Sequence, residues 1–449
     1  PGGYLRLGQY LGNIAGAMDG VGATHLDELA MMTAARRDPA VKTLREAIRA
    51  NLARYADCVL GDRDLAGDRF DRSRTKTVRE LGPFDCIEAP CTDVCAVAQQ
   101  VPQYMRLARS GRLVEAAAVI RSDNPVAAIL GRACHHPCEQ PCLRTHMDDP
   151  LAIREIKRYV MDHEPAPIPS VTPARATVRV AIIGGGPCGL SAAVFLARAG
   201  VPVTVFEARP ATGGMVSGTI PGYRASPAAI DQDLERVAAL GVDVRTGVRV
   251  GADLTLQELR DQGFEYIVVA VGARRGTRLG IPGEDDPGVR DGLDFLRAAR
   301  AGAIEGIEGA VLVIGGGDAA MDCARTAHRL GAADVTVLYR RSIDEMPAHK
   351  EELQGLLEEG PQVRELVMPI EVATGGSGRI LLRCLRTRLG DPDASGRRRP
   401  VEIAGSEFDL PAGLVIVAIG QRPDLGLFGD EPPSVNEAGY LDVDPASLE

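Results

Sequence analysis

The chain has 449 residues, 45% of them hydrophobic and 25% charged, a globular composition that excludes disordered, collagen-like and membrane-spanning classes. Asp and Glu outnumber Lys and Arg by 61 to 51, Trp is absent and aromatics are 4%. Neither a basic face for nucleic acid or anionic lipid nor a stacking platform for single strands is expected.

Residues 1–80 read as a helical segment suited to docking a partner. Within them, residues 38–55 place Val41, Leu44, Ile48 and Leu52 on one stripe behind Asp38 and Pro39. The charged stretch 61–76 reads as an exposed linker. Residues 81–165 form a helical domain holding six of the ten cysteines in two triplets: Cys86, Cys91 and Cys95, then Cys134, Cys138 and Cys142. The start, PGGYLRLGQY, lacks a charged region followed by an apolar one. Metal ligation in a reducing cytoplasm is therefore the stronger reading and a disulfide framework the weaker. Residues 164–176 are proline-rich and read as an interdomain linker.

Beyond the linker the texture becomes strand, glycine loop, helix, which is α/β territory. VRVAII runs into Gly184, Gly186 and Gly189 and then an apolar helix, the context a dinucleotide fingerprint requires. The next strand, VPVTVFE, ends at Glu207, an acid placed to accept hydrogen bonds from a ribose. Gly213 and Gly214 follow, where the backbone must pass close to a flavin. The pattern then repeats: AVLVI leads to Gly315, Gly317 and Ala320, and DVTVLYRR sets Tyr339 where the first unit has Glu207. Arg340 and Arg341 come next, suited to a 2′-phosphate that an acid would repel. The first unit therefore reads as the FAD site and the second as the NADP(H) site, with NADPH favoured over NADH. YIVVAVGA (266–273) and LVIVAIGQRPD (414–424) read as places where the chain passes between the two units. Cys188 and Cys323 read as packing cysteines, since neither belongs to a C-x-x-C pair. Zinc also accepts thiolates, but paired C-x2-C spacing is absent, and a flavin alongside makes an electron-carrying iron–sulfur cluster the better reading of the triplets.

In this order, the cysteine-rich domain, the first glycine loop, GGGDAAMDCARTAHRLGA (315–332), VTVLYRR and MPA (346–348) resemble the glutamate synthase small-subunit family. Its relatives include the N-terminal half of dihydropyrimidine dehydrogenase and the large subunit of bifurcating ferredoxin:NADP oxidoreductase. The resemblance covers about residues 81–449. It implies a discontinuous FAD domain, 176–291 with 412–449, into which an NADP(H) domain, 292–411, is inserted. It also implies two [4Fe-4S] clusters built by interleaving the triplets: Cys86, Cys91 and Cys142 for one, Cys95, Cys134 and Cys138 for the other. Each set is one ligand short, because Pro83 and Lys157 stand where the family often has further ligands; Cys58, Glu155, His135 and His136 are candidates. Residues 25–30 and 38–48 are weakly similar to the C-terminal bundle of the NADH-binding subunit of respiratory complex I, without its cluster cysteines. The chain lacks an initiator methionine and stops before a further flavin-contacting Gly-Asp motif of the family, so a longer natural protein is expected.

The resulting expectation is a cytoplasmic electron-entry subunit of a multisubunit redox complex. NADPH gives a hydride to FAD, and electrons leave through [4Fe-4S] clusters to a protein partner. Holding nicotinamide against isoalloxazine needs no side-chain general base, so no catalytic residue is named. A glutamate synthase small subunit, a bifurcating oxidoreductase and a non-catalytic iron–sulfur scaffold are the alternatives.

Overall fold

A computed structural model of the chain describes residues 89–163, 171–172, 176–374, 380–393, 396–429, 433–436 and 439–442. These lie within one compact unit, Val78–Glu449. The expected helical segment 1–80, with Cys58, the 61–76 linker and Cys86, falls outside the described residues, as does most of 164–176.

The cysteine domain is helical. Helices Val101–Arg109, Leu113–Asp123, Ala127–Ala133 and Ile153–Asp162 pack around Tyr104, Ile120, Met161 and Cys138, all buried. The last helix buries Ile153, Lys157, Val160 and Met161, a helical stripe into which a lysine has been set.

The first α/β unit is a parallel sheet of β1 (Val180–Ile183), β2 (Val203–Glu207), β3 (Asp243–Thr246) and β4 (Tyr266–Val269), in the order β3-β2-β1-β4. Every residue of β1 and β2 is buried, so the two read as unbroken runs, as strands covered on both faces do. Helices Pro187–Arg198 and Pro227–Ala238 flank them, the second N-capped by Ser226.

Short β5 (Arg275–Gly276) leads to the second unit. Its sheet comprises β6 (Val289–Asp291), β7 (Ala310–Ile314), β8 (Asp334–Tyr339) and β9 (Gln362–Glu365), all parallel. Next come β10 (Val367–Thr374), β11 (Ile380–Pro392), β12 (Arg398–Glu402) and β13 (Phe408–Ala412), an antiparallel layer. Then β14 (Leu414–Val417) enters the parallel sheet between β6 and β7, and β15 (Gln421–Arg422) pairs antiparallel with β5.

Two things differ from the sequence expectation. The second sheet takes in residues 289–291 and 414–417, just outside the anticipated 292–411, because β7 needs a buried neighbour on its free edge and Val415–Val417 supply it. The chain passes between units at the β5–β15 pair, just after 266–273 and within 414–424. The antiparallel layer was not anticipated at all. No helix among the described residues is long and apolar enough to cross a membrane.

Candidate functional site

The first glycine loop is shaped by contacts that forbid a side chain. Gly184 has φ +111°, and a Cβ there would lie 2.3 Å from the Ala270 carbonyl oxygen. Gly214 has φ +56° and backs onto Gly186, whose Cα a Cβ at 214 would meet at 2.8 Å. Gly186 caps helix Pro187–Arg198 with no side-chain cap, and Gly189 is buried in its first turn, so the first N–H groups there have no side-chain partner and suit a pyrophosphate. Glu207 is buried and tied to the loop: Oε2 accepts from Gly185 N at 2.8 Å and Oε1 from Arg209 N at 2.8 Å. Each oxygen keeps a second lone pair for a ribose hydroxyl.

The second loop is more open. Gly315 leaves β7, and a Cβ on Gly317 would meet nothing within 4 Å, which leaves a clear floor at the N-terminus of helix Asp318–Arg329. Ala320 fills the third position and is wholly buried. The loop opens on a cleft of about 1110 Å³ bordered by Tyr339, Arg340 and Arg341. The two arginines differ. Arg340 is exposed. Arg341 is buried and already engaged: Nη2 is 2.6 Å from Asp393 Oδ2, and Nε donates to the Arg398 carbonyl at 2.7 Å. Open floors and close backbone approaches of this kind fit dinucleotides at both loops.

Cys91 lies on helix Pro90–Asp93, with Cys95 in the turn after it. Cys134 follows helix Ala127–Ala133, Cys138 sits on the 3-10 turn Pro137–Glu139, and Cys142 precedes the 3-10 turn Leu143–His146. The thiols perturb one another. Burial raises the Cys91 pKa, and Cys142 and Cys95 raise it further. Burial also pushes Cys138 up to about 12, reinforced by Cys134, Glu139 and Cys95 and opposed by Lys157. Tyr104 is raised by burial and by four of the thiols together. Cys91 is coupled to both Cys142 and Cys95, so the described thiols form one neighbourhood that these couplings do not divide into two sets. All five are free thiols, the donors iron–sulfur clusters take.

The candidate extra ligands stand elsewhere. Glu155 is half-exposed and pairs with Arg154 and Arg158. His135 Nε2 meets Asp318 Oδ2 at 2.7 Å, and His136 lies between Glu139 and Glu351. Lys157 is buried beside Cys138. Cys323 is buried as expected, and Cys384 is buried too, but Cys188 is exposed, because it lies off the face of its helix that buries Gly189, Leu190, Ala193 and Val194.

Sequence reading missed the links between these parts. Asp233, fully buried on helix Pro227–Ala238, accepts from Arg121 Nη1 (2.8 Å), Ala128 N (3.2 Å) and Ile129 N (2.9 Å), tying the cysteine domain to the first unit. Arg224 reaches Asp322 (2.7 Å) and Glu352 (2.9 Å), tying the first unit to the second. Burial raises Asp322 to about 7, with Arg224 pulling it down. Charged residues scattered this widely carry no local signal of pairing.

Residues 178–447 match the family described as pyridine nucleotide-disulphide oxidoreductase, and residues 79–167 match the domain described as dihydropyrimidine dehydrogenase domain II, 4Fe-4S cluster. Among curated relatives, the NADP(+)-dependent formate dehydrogenase subunit beta of Moorella thermoacetica is 39% identical over 82% of this chain and 55% of its own length. The NADPH-Fe(3+) oxidoreductase subunit beta of Geobacter sulfurreducens is 40% identical over 77% of this chain and 53% of its own. The glutamate synthase [NADPH] small chain of Escherichia coli is 34% identical over 76% of this chain and 75% of its own. The chain thus spans about half the length of the first two relatives. With two glycine-loop units behind a cysteine-bearing helical domain, the chain belongs to the pyridine nucleotide-disulphide oxidoreductase family and carries a 4Fe-4S domain.

Proposed function

We propose that this chain is the electron-entry subunit of a larger cytoplasmic redox complex. It takes electrons from NADPH at the second glycine loop, passes them to FAD at the first, and delivers them through the cysteine-bound clusters to a protein partner. The observation that carries this reading is the seating of the cysteine domain. Val126 and Ile129, on the segment leading into Cys134, share an apolar core with Val216 of the turn Gly214–Gly218. Gly214 in that turn backs onto Gly186 of the first glycine loop. The thiols are thus built onto the same structure that would hold the flavin.

FAD and the clusters, when bound, supply the conversion of a two-electron hydride into single electrons. The chain's own residues position and exclude. Gly184, Gly186, Gly189 and Gly214 admit the first nucleotide's backbone contacts, and Glu207 is held to take its ribose. Gly315, Gly317 and Ala320 floor the second site, with Arg340 and Arg341 at its 2′-phosphate end. Cys86, Cys91 and Cys142, and Cys95, Cys134 and Cys138, hold the clusters. The two relatives whose names carry NADP(H) and "subunit beta" support both the nucleotide and the need for a partner.

Anaerobic titration of the purified holoprotein with NADPH and, separately, NADH tests the scheme. Flavin bleaching at lower NADPH than NADH, together with low-temperature electron spin resonance of reduced clusters, is expected. Bleaching by NADH alone would overturn the arginine assignment, and bleaching without a cluster signal would overturn the wire.

A further inference from the structure

The loop between Cys134 and Cys138 turns two histidines away from the cysteines and toward the second unit. His136 has φ +35°, a left-handed conformation that costs a non-glycine residue free energy and is held only where its surroundings impose it. Its Nδ1 is 3.1 Å from Glu139 Oε2. A carboxylate beside Nδ1 with Nε2 facing outward is the orientation of a metal-ligating histidine. That Nε2 is buried, makes no hydrogen bond, and stands 3.3 Å from Glu351 Oε1. An imidazole nitrogen and a carboxylate oxygen at that distance are bridged by a proton or by a metal ion.

His349, at the start of helix Lys350–Glu359, completes the group. Its ring meets His136 edge-on at 4.9 Å and stacks on His135 at 5.3 Å. One donor atom from each of His136, His349 and Glu351 lies within 4.8 Å of the others. Two nitrogen or oxygen ligands about 2.0–2.1 Å from a tetrahedral zinc ion stand about 3.3 Å apart, the spacing already present between His136 and Glu351. Arg154 Nη1 takes Glu351 Oε2 at 2.9 Å, which leaves Oε1 for the ion.

We propose that His136, His349 and Glu351 bind one divalent zinc-type cation, distinct from the cysteine-bound clusters. The ion clips the Cys134–Cys138 loop to the start of helix Lys350–Glu359, which follows β8. Three protein ligands leave one tetrahedral position for water. The set mixes two imidazoles with a carboxylate and contains no thiolate, so it suits zinc and not an iron–sulfur cluster.

The test uses the holoprotein with its clusters intact, handled anaerobically. After exposure to zinc ion and desalting, elemental analysis should find one zinc per chain over and above the iron. X-ray absorption at the zinc edge should show nitrogen and oxygen neighbours and no sulfur shell. His349→Ala and Glu351→Gln should each weaken zinc binding by about 100-fold or more in competition with a chromophoric chelator, at unchanged iron and flavin content. A wild-type protein that keeps full iron and retains no zinc overturns the proposal. So does zinc with sulfur neighbours, which would place it on the cysteines, or zinc affinity unchanged in both variants. The absorption result is read on the wild type, so it decides even if a variant fails to fold.

Discussion

The two arginines at the end of β8 should separate in function when they are replaced one at a time. Arg340 is exposed at the cleft, whereas Arg341 is buried and already bonded to Asp393 and the Arg398 carbonyl. One charge-assisted hydrogen bond to a phosphate contributes about 1.5–3 kcal/mol, and exposure at the cleft favours the low end. Arg340→Ala should then lower kcat/KM for NADPH about tenfold, since roughly 1.4 kcal/mol is one decade, and leave NADH almost unchanged. Arg341→Ala removes a cation from a partly buried pair and should cost about 2 kcal/mol, seen as a Tm lower by about 5 °C. Its NADPH-to-NADH ratio should move less than that of Arg340→Ala. Steady-state kinetics with both nucleotides and an artificial electron acceptor, beside thermal melts, read both effects. Equal loss with the two nucleotides in Arg340→Ala would refute the phosphate assignment. A larger change of ratio in Arg341→Ala would refute the division of roles.

Three further outcomes follow from the same geometry. Glu207→Ala leaves the Gly185 and Arg209 amides without their acceptors, so the purified protein should carry little flavin and lose about 3 kcal/mol; full flavin occupancy by absorbance would contradict this. Asp233→Ala takes the carboxylate away from the buried Arg121 guanidinium and from the Ala128 and Ile129 amides and should cost about 3–5 kcal/mol, read as a lower denaturation midpoint, and an unchanged midpoint would remove Asp233 as the tie between domains. Asp322 has its folded pKa raised from 3.8 to about 7, so the folded state holds this proton more tightly than the unfolded one. Its contribution is therefore complete below about pH 4 and is lost as pH rises to about 7; Asp322→Asn should flatten that part of the melting-temperature profile, and an identical profile would count against it.

Both nucleotide units were legible because their signals are local. A buried run such as VAII or AVLVI, a glycine loop and a helix lie within some twenty residues, and nothing else gives that order. The antiparallel layer was less legible, although β11 buries Ile380, Leu382 and Cys384 at every second position. The three partners of β11 are separate stretches, and two of the pairings are broken by irregularities, at Pro369/Glu371 and Leu389/Pro392. β6 was missed because three residues, Val289–Asp291, carry no periodicity. At the site, the cysteine triplets announce themselves by spacing. The engagement of Arg341 by Asp393 does not, since that partner lies in a loop far along the chain. His136, His349 and Glu351 are likewise brought together only by folding.

The seams between the parts differ in kind, and the difference bears on electron transfer. The cysteine domain meets the first unit through an apolar core that joins Val126 and Ile129 to Val216, Ala225 and Ile230, and through the fully buried Asp233. Apolar burial is non-directional and is not screened by salt, and a buried charge cannot be exchanged cheaply for water. The second unit meets the other two through polar contacts. Arg224 pairs with Asp322 and Glu352, Arg300 donates to the Ser217 and Ile220 carbonyls, His135 meets Asp318, and Arg154 meets Glu351. Among the described residues, no hydrophobic cluster spans the first and second units. The exposed members of this seam, His135–Asp318 and Arg154–Glu351, yield little net free energy because water can replace them, whereas the buried Arg224–Asp322 pair is as costly to expose as Asp233. In the proposed scheme, the path from flavin to cluster would cross the apolar seam, and the nicotinamide nucleotide would enter and leave on the polar side.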